Sequence, residues 1–272
     1  MIAALLAAAA VAAVPAPSTA PTDPFPSAAA SYVVAIDGQI VWERDADTPR
    51  LPASLTKMMT ALLLVERDWD PGAAITISAS AAKATGSRAG LKAGEVLIAK
   101  DLLTAMLVTS ANDACVALAE HAAGDTTTFV ARMNARAKEL GLNATRFANP
   151  CGHDDPGQRS SAYDLAVLAE EAMTHSEIAS TVSRVQATIR TAKGRKITVK
   201  TGNHLLGRCE GAYGVKTGYT PGAGKCLVAA VQRGRTRVLV VLLDAADRWW
   251  SAAGVIEMAF DEAHTRQQQQ PR

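Results

Sequence analysis

Apolar and polar positions divide the chain into strand-like runs near its two ends and helix-like runs between them. The stretch "SYVVAIDGQIVWER" (31–44) is two short β runs around Asp37-Gly38, a two-residue hairpin signal. "LPASLTKMMTALLLVERD" (51–68) is apolar on nearly every face behind Pro52, which describes a helix buried in the middle of the protein. "AKDLLTAMLVTSANDACVALAEHAAG" (99–124) predicts two helices interrupted near Ser110, with Asp101 as an N-cap and Gly124 as the stop. "TTTFVARMNARAKELG" (126–141) is an amphipathic helix closed by Gly141, and "SSAYDLAVLAEEAMTH" (160–175) opens with Ser161 and Asp164 in a capping-box variant. "VQATIRTAKGRKITVKT" (185–201) reads as a charged surface hairpin turning at Lys193-Gly194, with Arg195 and Lys196 on a solvated face. Three β runs follow, "GAYGVKTGY" (211–219), "GKCLVAAVQR" (224–233) and "TRVLVVLLD" (236–244). A last helix covers "RWWSAAGVIEMAFDEA" (248–263), with Trp249 and Trp250 as core packing, and the Gln-rich residues after Arg266 are expected to be disordered.

Two strands at one end and three at the other can join in one five-stranded antiparallel sheet, with flanking helices and a mainly helical lobe over roughly residues 66–205. This is an α+β arrangement. One domain is expected over residues 28–264, with no repeat of solenoid length. A cleft between two lobes is a favourable place for a site.

Composition adds little to the fold and more to the compartment. The 272 residues are 49% hydrophobic and 20% charged, which excludes a disordered chain, and a net charge of +2 gives no reason to expect a nucleic-acid partner. The apolar run Ile2 to Val14 has the length of a signal-peptide core, although no Lys or Arg precedes it, and a Pro-rich stretch follows. Residues 1–27 are therefore expected to be a leader and linker, and the protein to be exported. Export changes how the four cysteines read. No CxxC spacing points to zinc, and the sequence-local pairs are Cys115 with Cys151 and Cys209 with Cys226. Disulfides and buried free thiols both remain open. The five histidines show no ligand spacing, so no metal is expected.

Candidate chemistry starts in the buried helix. Ser54 and Lys57, in "SLTK", stand three residues apart, so Nζ can reach Oγ from the same helix face. A lysine sunk among apolar residues loses affinity for its proton and becomes a usable base. The plainer reading is chance, since S-x-x-K is common; Leu55, Met58, Met59 and Leu62 argue against an exposed helix. Ser110 and Asn112, at the break between two helices, could shuttle a proton or hold a substrate amide, or simply cap the next helix. Lys-Thr-Gly occurs at 200–202 and again at 216–218. The second copy ends a β run, precedes a Gly/Pro turn and faces an apolar partner strand, "CLVAAV". There its backbone could pair with an extended peptide while Gly218 permits close approach. Lys200 leads into a loop with no strand after it and is taken as coincidence.

The order S-x-x-K, S-x-N, K-T-G is the signature shared by penicillin-binding proteins and class A β-lactamases. With "PASLTKMMTALL", "TGSRAGLKAGE", "DLLTAMLVTSANDACVALAE", "FVARMNARAKELGLNATRFANPCGHD", "SSAYDLAVLA" and "GVKTGYTPGAGKCLVAA", the chain resembles the low-molecular-mass penicillin-binding proteins, serine D-alanyl-D-alanine carboxypeptidases, over about residues 30 to 262. The resemblance implies a β-lactamase/transpeptidase-like fold and a peptidoglycan stem peptide ending in D-Ala-D-Ala as substrate, with β-lactams as inhibitors and no cofactor. It implies Ser54 as nucleophile, Lys57 as base and Ser110 with Asn112 in proton relay and substrate orientation. The amides of Ser54 and Tyr219 would form an oxyanion hole, and Lys216, Thr217 and Arg248 would sit near the terminal carboxylate.

The chain departs from the family in one motif. Where relatives often read "NPHGLD", it reads "NPCGHD", with Cys151 at the histidine position and His153 two residues on. It also ends just after the catalytic region, so no C-terminal membrane anchor is expected. Two alternatives stand beside this reading. "ELGLN" (139–143) matches the deacylating E-x-x-L-N pattern of class A β-lactamases, although Glu139 falls on an amphipathic helix where a solvated charge is ordinary. A non-catalytic β-lactam sensor or wall-binding domain is the other.

Overall fold

A computed structural model describes residues 23–67 and 69–269. Strands β1 (Ser31–Ile36) and β2 (Gln39–Arg44) form the expected hairpin, with Asp37 and Gly38 both at positive φ. A single 3₁₀ turn (Ala53–Thr56) leads into α1 (Lys57–Glu66), eight of whose ten residues are buried. A small two-stranded ladder, β3 (Ala74–Thr76) with β4 (Val96–Ile98), brackets the short α2 (Ala79–Ala82). Then come α3 (Ala99–Val108), α4 (Asn112–Ala123), α5 (Thr126–Glu139), α6 (Ala162–Met173) and α7 (Ser176–Val182). The hairpin β5 (Gln186–Arg190) and β6 (Lys196–Lys200) precedes β7 (Ala212–Thr220), β8 (Gly224–Arg233), β9 (Thr236–Ala245) and α8 (Arg248–Gln269).

The large sheet runs β2-β1-β9-β8-β7 and is antiparallel throughout, as the strand count implied. Side chains alternate across its faces. Val33, Ala35, Val228, Ala230, Leu239, Val241 and Leu243 join the helical lobe in one core. Tyr32, Val34, Leu227, Ala229, Val238, Val240 and Leu242 pack under α8 in the other. A sheet covered on both faces needs apolar residues at every position, which is why β8 and β9 read as continuous apolar runs.

Several local expectations are corrected. The N-cap of α3 is Ile98; Asp101 lies in the first turn, and its carboxylate accepts the Arg190 amide at 2.8 Å instead. Ser161 does cap α6, accepting from the Asp164 amide. Helix α8 runs on to Gln269 rather than fraying after Arg266. Trp249 packs against the core under α8 as expected and stacks on His204 with ring centroids 4.7 Å apart, whereas Trp250 is 83% exposed. Arg195 ion-pairs with Glu95 rather than pointing only to solvent. The leader predicted over 1–27 lies outside the described residues as far as residue 22. Residues 23–27 pack on the sheet, where Phe25 meets Trp42 edge-on at 5.3 Å. Among the described residues no helix is long and apolar enough to cross a membrane.

Candidate active site

The turn that leads from Pro52 into α1 sets up the first constellation. Ser54 lies in the 3₁₀ turn, not in the α-helix proper, and Lys57 is the first residue of α1. In a 3₁₀ turn residues i and i+3 eclipse, so Lys57 Nζ stands 3.0 Å from Ser54 Oγ. The turn is strained, with Ala53 at φ +48°, and it is braced. Thr56 Oγ1 donates to the Ala53 carbonyl at 2.8 Å, and Gln158 Nε2 donates to Thr56 Oγ1 at 2.8 Å.

Lys57 is fully buried. Its Nζ meets three oxygens: Ser54 Oγ, Asn112 Oδ1 at 2.7 Å and the Cys151 carbonyl at 2.5 Å. Two of these can only accept, while the hydroxyl can also donate. An ammonium donates to all three oxygens; once neutral, the amine keeps its two N–H groups for the pure acceptors and turns its lone pair to the Ser54 O–H. Burial, with a smaller push from Lys216, holds Lys57 well below the ordinary lysine range.

Ser110 and Asn112 arrive from the break between α3 and α4. Ser110 sits at φ +61°, which turns the chain sharply enough to end one helix and start the next. Neither residue caps α4: its N-cap is Ala111, with no side-chain cap bond. Asn112 Nδ2 donates to the Thr85 carbonyl at 2.6 Å and its amide to the Ser87 carbonyl at 2.7 Å, which fixes Oδ1 toward Lys57. The next residue, Asp113, orders the same loop. Its buried carboxylate accepts from the amides of Ala89, Gly90 and Leu91 at 2.9–3.0 Å.

The third side is β7, the edge strand of the sheet. Lys216 is 2% exposed and donates to Ser110 Oγ at 2.9 Å and to the Thr217 carbonyl at 2.8 Å. Burial first, then the charge of Arg248, lowers it to about 7. At Gly218 a Cβ would come within 3.0 Å of Ala53 Cβ and 3.1 Å of the Ser54 nitrogen, so the strand backbone runs directly against the nucleophile turn. Tyr219 follows with its side chain 62% exposed, and Thr217 is partly buried. Arg248 reaches over from α8, donating from Nη1 to the Gly218 carbonyl at 2.5 Å and the Cys226 carbonyl at 3.2 Å, while its buried Nε has no partner.

The two Lys-Thr-Gly copies separate for a reason other than the expected one. Lys200 does lie on a paired strand, opposite Gln186 in the β5–β6 ladder. Its side chain is exposed, whereas that of Lys216 is buried on Ser110. The copies are close in space: a Cβ at Gly202 would be 3.7 Å from Thr217 Oγ1.

Sequence reasoning missed the residues that hold the site shut. Asn149 Oδ1 accepts the amides of Cys151, Gly152 and His153 at 2.8–3.2 Å, curling this loop over the nucleophile. Gly152, at φ +85°, lies so close that a Cβ there would be 1.9 Å from the Ala53 carbonyl oxygen. Asp154 ties the loop to the β7–β8 turn, accepting from Thr220 Oγ1 at 2.5 Å and the Gly222 amide at 3.0 Å. Glycines and an Asn-Pro pair were visible in "NPCGHD", but nothing local marks which backbone they approach.

The cysteines resolve differently from each other. Cys115 and Cys151 form a disulfide across 36 residues. Cys209 and Cys226 do not pair: both are free, and burial pushes the Cys226 thiol up to about 11. His153 is partly buried, and burial above all lowers it. Glu139 is 57% exposed on α5 and bonded to Arg136, as a solvated helix charge would be. One group of potential metal ligands, Glu66, Glu171 and His175, does come together although the spacing did not suggest it. Arg136 already donates to both carboxylates there, at 2.5 Å and 3.1 Å.

Comparison with known proteins gives the family and the fold. Residues 18–247 match the family model of the D-alanyl-D-alanine carboxypeptidases, peptidase family S11. D-alanyl-D-alanine carboxypeptidase DacF of Bacillus subtilis is 34% identical over 84% of this chain and 60% of its own length. DacB2 of Mycobacterium tuberculosis is 31% identical over 86% of this chain and 82% of its own length. The chain thus spans 60% of the Bacillus relative and most of the mycobacterial one. Among solved structures, the Streptomyces K15 DD-transpeptidase superposes with a TM-score of 0.83 at 29% identity, covering 88% of this chain and 99% of its own. A serine–lysine pair on a 3₁₀ turn, a strained Ser-x-Asn break and a Lys-Thr-Gly edge strand stand within one such match, and the chain belongs to the D-alanyl-D-alanine carboxypeptidase family.

Proposed function

We propose that this chain is a serine D-Ala-D-Ala carboxypeptidase that removes the terminal D-alanine from peptidoglycan stem pentapeptides through an acyl-enzyme. The observation that carries the reading is a fully buried lysine whose Nζ stands 3.0 Å from Ser54 Oγ, where burial favours the neutral amine that can take the hydroxyl proton. Lys57 takes the Ser54 proton as Oγ attacks the carbonyl between the two D-alanines. The Ser54 and Tyr219 amides receive the oxyanion, the position at which preorganised donors contribute most. Ser110, hydrogen-bonded to Lys216, passes a proton to the departing D-alanine nitrogen. Asn112 orients Lys57 and the substrate amide. Lys216, Thr217 and Arg248 hold the terminal carboxylate, and the open edge of β7 at Gly218 pairs with the peptide backbone. Water then hydrolyses the ester.

β-Lactams, which present the same amide and carboxylate, are proposed to acylate Ser54 and persist. Export to the extracytoplasmic wall space is proposed from the leader-like sequence and supported by the Cys115–Cys151 disulfide, which suits an oxidising compartment. The β-lactamase alternative is disfavoured by Glu139, which is solvent-exposed on α5.

The test is D-alanine release from a diacetyl-Lys-D-Ala-D-Ala peptide, with the mass of the benzylpenicillin adduct measured in parallel. Release together with a long-lived adduct, both lost in Ser54→Ala, is the expected result. Fast penicillin hydrolysis without D-alanine release would transfer the assignment to the β-lactamase branch.

A further inference from the structure

We infer that the Cys115–Cys151 disulfide is a positioning crosslink for the general base, binding together the two elements that supply the acceptors of the Lys57 N–H groups. The inference rests on the proposed role of Lys57.

Those acceptors come from unrelated parts of the chain. Asn112 Oδ1 is on the first residue of α4; the Cys151 carbonyl is in the loop that closes over the 3₁₀ turn. Cys115 lies one helical turn beyond Asn112, on the same face of α4. Cys151 is itself the residue whose carbonyl meets Lys57. The covalent bond therefore joins acceptor to acceptor almost directly, with one helical turn on one side and one residue on the other.

Residues 149–153 contain no helix or strand, and their ends are held elsewhere, Pro150 by Thr60 of α1 and Asp154 by the β7–β8 turn. Cys151 itself is tied to α4 by the disulfide, and its release lets the Cys151 carbonyl shift from Lys57. Water then reaches the amine, and the burial that favours its neutral form weakens. The other titratable groups facing Lys57 are Lys216 from β7 and His153 from the same loop; Asp113 of α4 is turned to the amides of Ala89, Gly90 and Leu91. Neither lysine nor histidine supplies a negative charge, so exclusion of water is what the crosslink must protect.

The experiment compares the protein with the double variant Cys115→Ala/Cys151→Ala, both carrying ¹³Cε-lysine. Lys57 is assigned by the resonance lost in Lys57→Met. Alkylation in denaturant, which exposes the buried Cys226, should find two free thiols without reductant and four after reduction; four from the start would sink the idea. In the crosslinked protein Lys57 should titrate well below ordinary lysine. In the variant its midpoint should rise by about one pH unit or more, and the acid limb of penicillin acylation should rise with it, about tenfold lower in rate at a fixed pH on that limb. A variant with lower Tm but an unmoved Lys57 midpoint and acid limb would show a crosslink that stabilises without positioning, and would overturn the proposal. Should the double variant not fold, phosphine reduction of the native protein below its Tm, followed by reoxidation, reads the same two quantities reversibly. A native protein that neither releases D-alanine nor reacts with penicillin would defeat the functional reading, while the Lys57 midpoint would still decide the positioning claim.

Discussion

The alkaline side of the pH profile should belong to Lys216. This side chain is 2% exposed, and burial together with Arg248 brings it to about 7. A substrate carboxylate therefore meets an ammonium below pH 7 and a neutral amine above it. Since kcat/KM reports the free enzyme, it should fall with a midpoint near 7 and then about tenfold per pH unit. A bound carboxylate favours the charged lysine, so kcat should hold to higher pH and the loss should appear in KM. The assay is D-alanine release between pH 5 and 9.5 at constant ionic strength, run beside a peptide whose terminal carboxylate is amidated. The amidated peptide, slower overall, should lose the alkaline limb; the same limb for both peptides would refute the assignment. Stability supplies a second check. The folded-state value lies below the unfolded one of about 10.4, so the unfolded chain binds the extra proton between these values, and stability rises with pH across that window. The ceiling is about 5 kcal/mol, from 1.36 kcal/mol per pH unit. Urea unfolding of Lys216→Met should lack that part of the rise with pH.

Three further outcomes are expected. Gly152→Ala places a Cβ 1.9 Å from the Ala53 carbonyl oxygen at a φ that itself costs about 1–2 kcal/mol for alanine; Tm should fall and penicillin acylation should slow by about a hundredfold, as a displacement near 1 Å would cause. Asp113→Ala strands three amides of the 89–91 loop, and unfolding by denaturant should show a loss of about 3 kcal/mol, with slower acylation because the same region carries Asn112. Glu139→Gln should leave both D-alanine release and adduct lifetime unchanged within experimental error, since the carboxylate is 57% exposed and bonded only to Arg136; a shortened or lengthened adduct lifetime would reopen the β-lactamase reading.

Short-range signals carried most of the fold. Asp37-Gly38, Ser161, Gly124 and Gly141 did what turn and cap chemistry dictates, because each acts on its own neighbours. Ser54 and Lys57 were legible for the same reason: the three-residue spacing brings them together in a 3₁₀ turn as surely as in an α-helix. Asp101 misled because its nearest orphan amides were already inside α3, and a distant one, that of Arg190, lay within reach. Trp250 misled because adjacent residues at the start of α8 face different ways: Trp249 packs on the core and on His204, and Trp250 is turned to solvent. The cysteine spacings looked equivalent in sequence, yet only one pair is set face to face, by α4 and the 149–153 loop.

What lay beyond sequence was the clamp on the nucleophile. Ala53 is held at φ +48°, a conformation costing about 1–3 kcal/mol, and such strain persists only where the surroundings over-determine it. Two glycines do so. Gly152 presses its backbone on the Ala53 carbonyl, and Gly218 brings β7 against Ala53 Cβ and the Ser54 nitrogen. Thr60 Oγ1 bonds the Pro150 carbonyl at 2.6 Å and Gln158 bonds Thr56, so the same loop is also fastened to α1. The serine is thereby fixed between a loop that carries the Lys57 acceptor and a strand that carries Lys216. A shift in either surface reaches the nucleophile, its base and the carboxylate site together, which makes acylation rate a more sensitive reporter of packing here than stability is.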